Sequence, residues 1–226
     1  MASPYSSTEE TTNANRICRL ILGPCTDELH DVLCHFVPPQ ALSHVIHVFH
    51  VNQKKPGRGL PLTGPQRDLI LPRNGSYTGN YDDMDISLLY ILLRNICGIP
   101  SHSNGWGNDP DPIDYSPSAC IERIRLARNQ CVHSPTSSLS NTEFSNIWST
   151  IRSAVVSLDT FLSNGCKYER EVDFLRRETM DPVRDKHYQE ELKKQVQEDL
   201  KTREMVTNLK RKMEENAEKG VGIENR

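Results

Sequence analysis

One short run of this sequence sets a fixed cation near a ring that titrates close to neutrality: Arg128-Asn129-Gln130-Cys131-Val132-His133. Imidazole can serve as base in one step and as acid in the next without help from its surroundings. The run falls on the last turn and a half of an expected helix. There the helix dipole favours the protonated ring and nudges its pKa upward. Arg128 adds a planar fork of donors suited to phosphate oxygens. Asn129 precedes His133 by four residues, roughly 40° around a regular helix, so its amide can orient the imidazole. Arg128 and His133 are five apart, roughly 140° around. They meet on one phosphate only if the helix end unwinds or a second subunit completes the site. Taken alone, an Arg and a His at this spacing read more simply as a surface ion site.

Other chemistry-bearing residues read more simply. His44, His47 and His50, with His30, Cys34 and His35 nearby, spread too far around their helix for one tetrahedral ion, so no metal site is expected. The cysteines form no CxxC pair, and no Walker A pattern occurs. Asp109-Pro110-Asp111-Pro112-Ile113-Asp114 lacks the alternating ligands and closing Glu of a calcium loop. Trp106, between Gly105 and Gly107, could stack on a base but reads first as a plug at the edge of a bundle. No cofactor is implied.

The elements that position the motif are helical. Ile86–Ile96 leaves almost no polar face and, with Asp83 or Asp85 as N-cap and Gly98 beyond its end, reads as a central buried helix. Ser116-Pro117 starts the helix that carries the motif to about His133, and Pro135 ends it. Ser140-Asn141-Thr142-Glu143 is a capping box. Behind it Phe144, Ile147, Trp148, Ile151, Val155 and Leu158 recur at helical spacing, up to a stop at Gly165. Further helices are expected over Asp27–Val37, with Thr26 as N-cap, and over Gln40–Val51. Gly23-Pro24 is expected to stop the short apolar segment Arg16–Leu22. No segment alternates with period two, so the fold class is all-α, a helical bundle.

The chain has 226 residues, 36% of them apolar, and a formal charge of −3. That balance excludes a strongly basic nucleic-acid coat and a polybasic membrane patch. No apolar run reaches the ~18–20 residues needed to span a bilayer, so no membrane partner is expected. Seven cysteines without regular spacing fit reduced thiols in a cytosolic or nuclear chain better than a disulfide framework, and a cytoplasmic location is expected. Charge is concentrated at one end: 15 of the 27 basic and 15 of the 30 acidic residues lie in 167–226. The expected organisation is a disordered N-terminus over 1–15, a bundle over 16–164 and a charged helical tail over 165–226. In the tail, Leu192, Val196, Leu200, Leu209 and Met213 drift around the helix without settling into a coiled-coil seam. The tail reads as a solvated helix held by pairs such as Glu190–Lys194, or as a weak coiled coil reaching an unknown protein partner.

Several runs together carry a resemblance: Leu62-Thr63-Gly64-Pro65-Gln66, Asp85 through Gly98 with its Leu92-Leu93-Arg94-Asn95-Ile96-Cys97-Gly98 core, Gly105-Trp106, Ile121-Glu122-Arg123-Ile124-Arg125, and Arg128-Asn129 with His133. Over roughly residues 16–162 the chain resembles the HEPN family. The longer match is to one subgroup, the HEPN domain of the DAZ-interacting zinc-finger ubiquitin ligase. The resemblance implies a four- to five-helix bundle and, in active members, a metal-independent endoribonuclease working as a homodimer on single-stranded RNA. Arg128, Asn129 and His133 would be the catalytic residues, with Arg123 and Arg125 adding a local RNA-binding patch. Four residues separate Arg128 from His133, the short end of the family's spacing. No RING is present, so ligase activity is not implied. The other reading is a catalytically silent interaction module in ubiquitin or innate-immune signalling.

Overall fold

The computed structural model describes residues 9–52, 59–72, 75–133, 138–178, 187, 190–201, 204–205, 207–208 and 211. In chain order the helices are α1 (Glu9–Leu20), α2 (Thr26–Phe36), α3 (Leu42–Asn52), α4 (Gly64–Ile70), α5 (Ile86–Ile96), α6 (Pro117–His133), α7 (Asn141–Leu162) and α8 (Lys167–Arg177). A further helix, α9, covers 190–201. No strand occurs among the described residues. None of their helices is, by itself, long and apolar enough to cross a membrane.

Local signals set the two best-defined helices. Asp85 caps α5 by accepting from the Leu88 N–H at 2.8 Å, and Gly98 takes φ +65° just past its end. Ser140 and Glu143 close a reciprocal capping box at the start of α7. Trp148, Ile151, Ala154, Val155 and Leu158 are fully buried along α7, which lies against α1, α2, α6 and α8. α5 fills the space between α2, α3 and α6. Burial of a side chain such as Leu or Ile is worth about 1.5–3 kcal/mol each, so these two helices anchor the core.

Three expectations change. Residues 9–15 are helical rather than disordered, because Asn13 and Ala14 are buried. The Asn13 amide donates to the Leu139 carbonyl and to Asn141 Oδ1. Tertiary contact, not local propensity, orders this stretch. Gly23-Pro24 does break the helix, as expected: Gly23 leaves helical geometry at φ −103°, ψ −106°, and the chain kinks over Ile21–Cys25 between α1 and α2. Thr26 is not the N-cap: it already takes helical angles as the first residue of α2, and its hydroxyl donates back to the Ile21 carbonyl. The bundle also does not end at Gly165. Tyr168 and Val172 of α8 are buried against it, and Asp159 accepts from the Tyr168 and Glu169 N–H groups at the start of α8.

Candidate functional site

The expected RNA-binding patch on α6 is turned inward. Arg123 is 8% exposed and Arg125 7%. The Arg123 guanidinium donates to the carbonyls of Asp114, Asp111 and Pro112 and lies over the Tyr115 ring. It holds the 98–116 loop down. Arg125 Nε donates to Glu122 Oε1 at 2.7 Å. That same oxygen accepts from the Gly107 N–H and the Tyr90 hydroxyl. Glu122 is fully buried, so a buried carboxylate, a guanidinium and a loop amide close one knot. Trp106 sets its edge against Tyr90 at 5.8 Å. Burial first, then the Glu122 charge, raises the Tyr90 pKa. These arginines position a loop in this conformation and present no cationic surface.

Arg128 is placed differently. Its side chain is 1% exposed, and Nη1 donates to Asp199 Oδ2 at 2.5 Å. The Ser87 hydroxyl donates to the same carboxylate oxygen. Asp199 comes from α9, which seats Leu192 and Val196 on the bundle at 1% and 2% exposure. Arg128 Nε and Nη2 have no hydrogen-bond partner among the described residues. One buried fork thus holds one anionic oxygen and keeps two nitrogens unspent. The site lies at the first turn of α5, where free N–H groups and the helix dipole favour negative charge. Asp85, the α5 cap, is raised in pKa by burial, against the pull of the Leu88 N–H and of Arg128. Beside it a cleft of about 340 Å³ opens between the α5 entry and α9; Asp82, Asp83, Asp85, Glu191 and Glu198 line it with Lys194.

Asn129 is half-buried one residue along α6. His133 closes that helix; its side chain lies outside the described residues, as does the expected stop at Pro135. The structure therefore brings Arg128 together with Ser87 and Asp199, two residues that the sequence reading did not single out. A signal for Asp199 was present. Leu192, Val196 and Asp199 stand at i, i+4 and i+7, one face of a helix. The tail's reading as a freely solvated helix does not hold for 190–201, where that face is covered. Arg128 and Asp199 are 71 residues apart, and nothing local pairs them.

A family model described as DZIP3/hRUL138-like HEPN matches residues 39–188, more than half of the chain. No curated protein and no solved structure matches.

Proposed function

Since the chain belongs to the DZIP3/hRUL138-like HEPN family, we propose that it is an RNA-directed, self-associating HEPN module with a metal-independent endoribonuclease site on Arg128, Asn129 and His133. The observation that supports this reading is the state of Arg128: a buried guanidinium that grips an anionic oxygen and keeps two nitrogens unspent. A scissile phosphodiester offers the two non-bridging oxygens that such a fork takes. In the reaction, His133 takes the proton of the RNA 2′-hydroxyl. The 2′-oxygen bonds to phosphorus, the bond to the 5′-oxygen breaks, and a proton from an imidazolium goes to that leaving oxygen. The products are a 2′,3′-cyclic phosphate and a 5′-hydroxyl. Arg128 carries the charge that builds on the pentavalent phosphorus. Asn129 orients the imidazole. With roughly 140° between Arg128 and His133 on a regular helix, the site is complete only if the helix end unwinds or a second copy of the chain contributes; the self-associating reading takes the second.

The test is cleavage of single-stranded RNA in EDTA by Asp199→Ala, in which the guanidinium is unblocked, beside Asp199→Ala/His133→Ala. Cyclic phosphate ends formed by the first and lost in the second are expected. Equal cleavage by both, or none by either, rejects the catalytic role.

A second reading has its own observation. Arg123, Arg125 and Arg128 are all buried and bonded within the protomer, which suits a silent interaction module whose motif arginine is structural. Absence of cleavage together with a concentration-dependent dimer supports that reading.

A further inference from the structure

We infer that α9 is a built-in competitor of RNA: the Asp199 carboxylate occupies the seat of a backbone phosphate, in a cradle made by Arg128 and Ser87, so that α9 and single-stranded RNA exclude each other. This rests on the RNA reading of Arg128 given above, and it adds Ser87 as a phosphate-positioning residue.

Four observations converge. Asp199 Oδ2 accepts from both Arg128 Nη1 and the Ser87 hydroxyl, two donors on different helices aimed at one point. That point lies at the first turn of α5, a helix of 11 residues whose N-terminal dipole favours an anion. The carboxylate uses the cradle incompletely, because Arg128 Nε and Nη2 stay unpartnered among the described residues although the side chain is 1% exposed. A tetrahedral phosphate has more acceptor oxygens than the single one Asp199 supplies here.

The fourth observation concerns access. With α9 in place the neighbouring cleft is acidic, lined by Asp82, Asp83 and Asp85 from the bundle and by Glu191 and Glu198 from α9. A polyanion does not approach Arg128 by that path. Lifting α9 removes Glu191, Glu198 and Asp199 together, with Lys194, and uncovers the Arg128 guanidinium, which is 1% exposed while α9 is docked. Besides the Asp199 contacts to Arg128 and Ser87, which a phosphate would replace, α9 has a short apolar footing. Its buried apolar anchors are Leu192 and Val196, while Leu200 is 41% exposed. An element with few buried contacts belongs to the part of a fold that opens most readily. A chain whose competent state is a minor fraction binds its ligand weakly in proportion to that fraction. The resting chain is therefore a weak RNA binder, and whatever draws α9 away raises its affinity.

The test uses the full chain and a short single-stranded 2′-O-methyl RNA, which cannot be cleaved, so that binding is read apart from catalysis. Fluorescence anisotropy compares wild type, Asp199→Ala and Leu192→Glu/Val196→Glu. The double variant keeps Asp199 and unseats α9 through its apolar anchors. Hydrogen exchange over 190–201 reports release in each. Both variants are expected to bind at least about tenfold more tightly than wild type. Adding Ser87→Ala to Asp199→Ala should then weaken binding several-fold. If the variants release α9 and bind RNA no better than a wild type that does bind, the competition is overturned and the RNA reading stands. If no form binds the RNA, both fall.

Discussion

Arg125 separates a structural arginine from an RNA-binding one. Its guanidinium neutralises Glu122, a carboxylate with no exposure, and spans to the Gly107 carbonyl at 3.4 Å. Arg125→Ala leaves Glu122 buried with only the Gly107 N–H and the Tyr90 hydroxyl on Oε1, while Oε2 has no partner among the described residues. Breaking a buried pair from one side costs about 3–5 kcal/mol. For a chain of this size that lowers the melting temperature by roughly 2–4 °C per kcal/mol, so by roughly 6–20 °C. Arg125→Met with Glu122→Leu removes both charges at similar volume and should recover most of the loss. Urea unfolding of wild type, Arg125→Met, Glu122→Leu and the double variant gives the coupling energy directly. Tryptophan emission supplies a local readout, because Trp106 rides on Tyr90 within the same knot and should move toward solvent in Arg125→Ala. The reasoning is refuted if Arg125→Ala unfolds within about 0.5 kcal/mol of wild type while RNA affinity falls. Arg125 would then face a ligand and not Glu122.

Glu28 makes stability depend on pH. It is fully buried, neither carboxyl oxygen has a partner among the described residues, and burial followed by the charges of Asp159 and Asp31 pushes its pKa up to about 10, with Lys167 pulling the other way. The folded chain keeps this proton from the ordinary carboxyl range up to that value, and the unfolded chain does not. Stability therefore falls as pH rises across that window, at up to about 1.4 kcal/mol per pH unit from this group. Glu28→Gln should flatten the slope between pH 6 and 9, read as urea midpoints at each pH; an unchanged slope contradicts the assignment. Ser140→Ala removes the α7 capping box and should cost about 1 kcal/mol in the same assay. A cost near zero means that packing of α7 sets its start.

How much was legible follows how local the cause is. α5 and α7 could be read because apolar spacing and caps sit inside their own segments: Asp85 three residues before Leu88, Ser140 three before Glu143. The start of α1 could not, since Asn13 is ordered by Leu139 and Asn141, far along the chain. The break at Gly23-Pro24 was legible, because its cause sits in the pair itself: Gly23 leaves helical angles and Pro24 has no N–H to donate. Arg123 looks like part of a basic patch in sequence because its partners are loop carbonyls, which carry no side-chain signature; Arg125 pairs with Glu122 three residues before it, a spacing visible in the sequence. Arg128 stood out by type and by its neighbours. Ser87 and Asp199 did not, because their meeting depends on where α9 docks.

The central claim is that one buried cradle serves either RNA or α9. It is tested most directly by amide hydrogen exchange over 190–201 in the wild-type chain, with and without saturating single-stranded 2′-O-methyl RNA. The account requires exchange there to speed up when RNA is bound, while α5 and α7 keep their protection. Unchanged or slower exchange over 190–201 with RNA demonstrably bound contradicts it, because RNA would then occupy the chain with Asp199 still seated on Arg128.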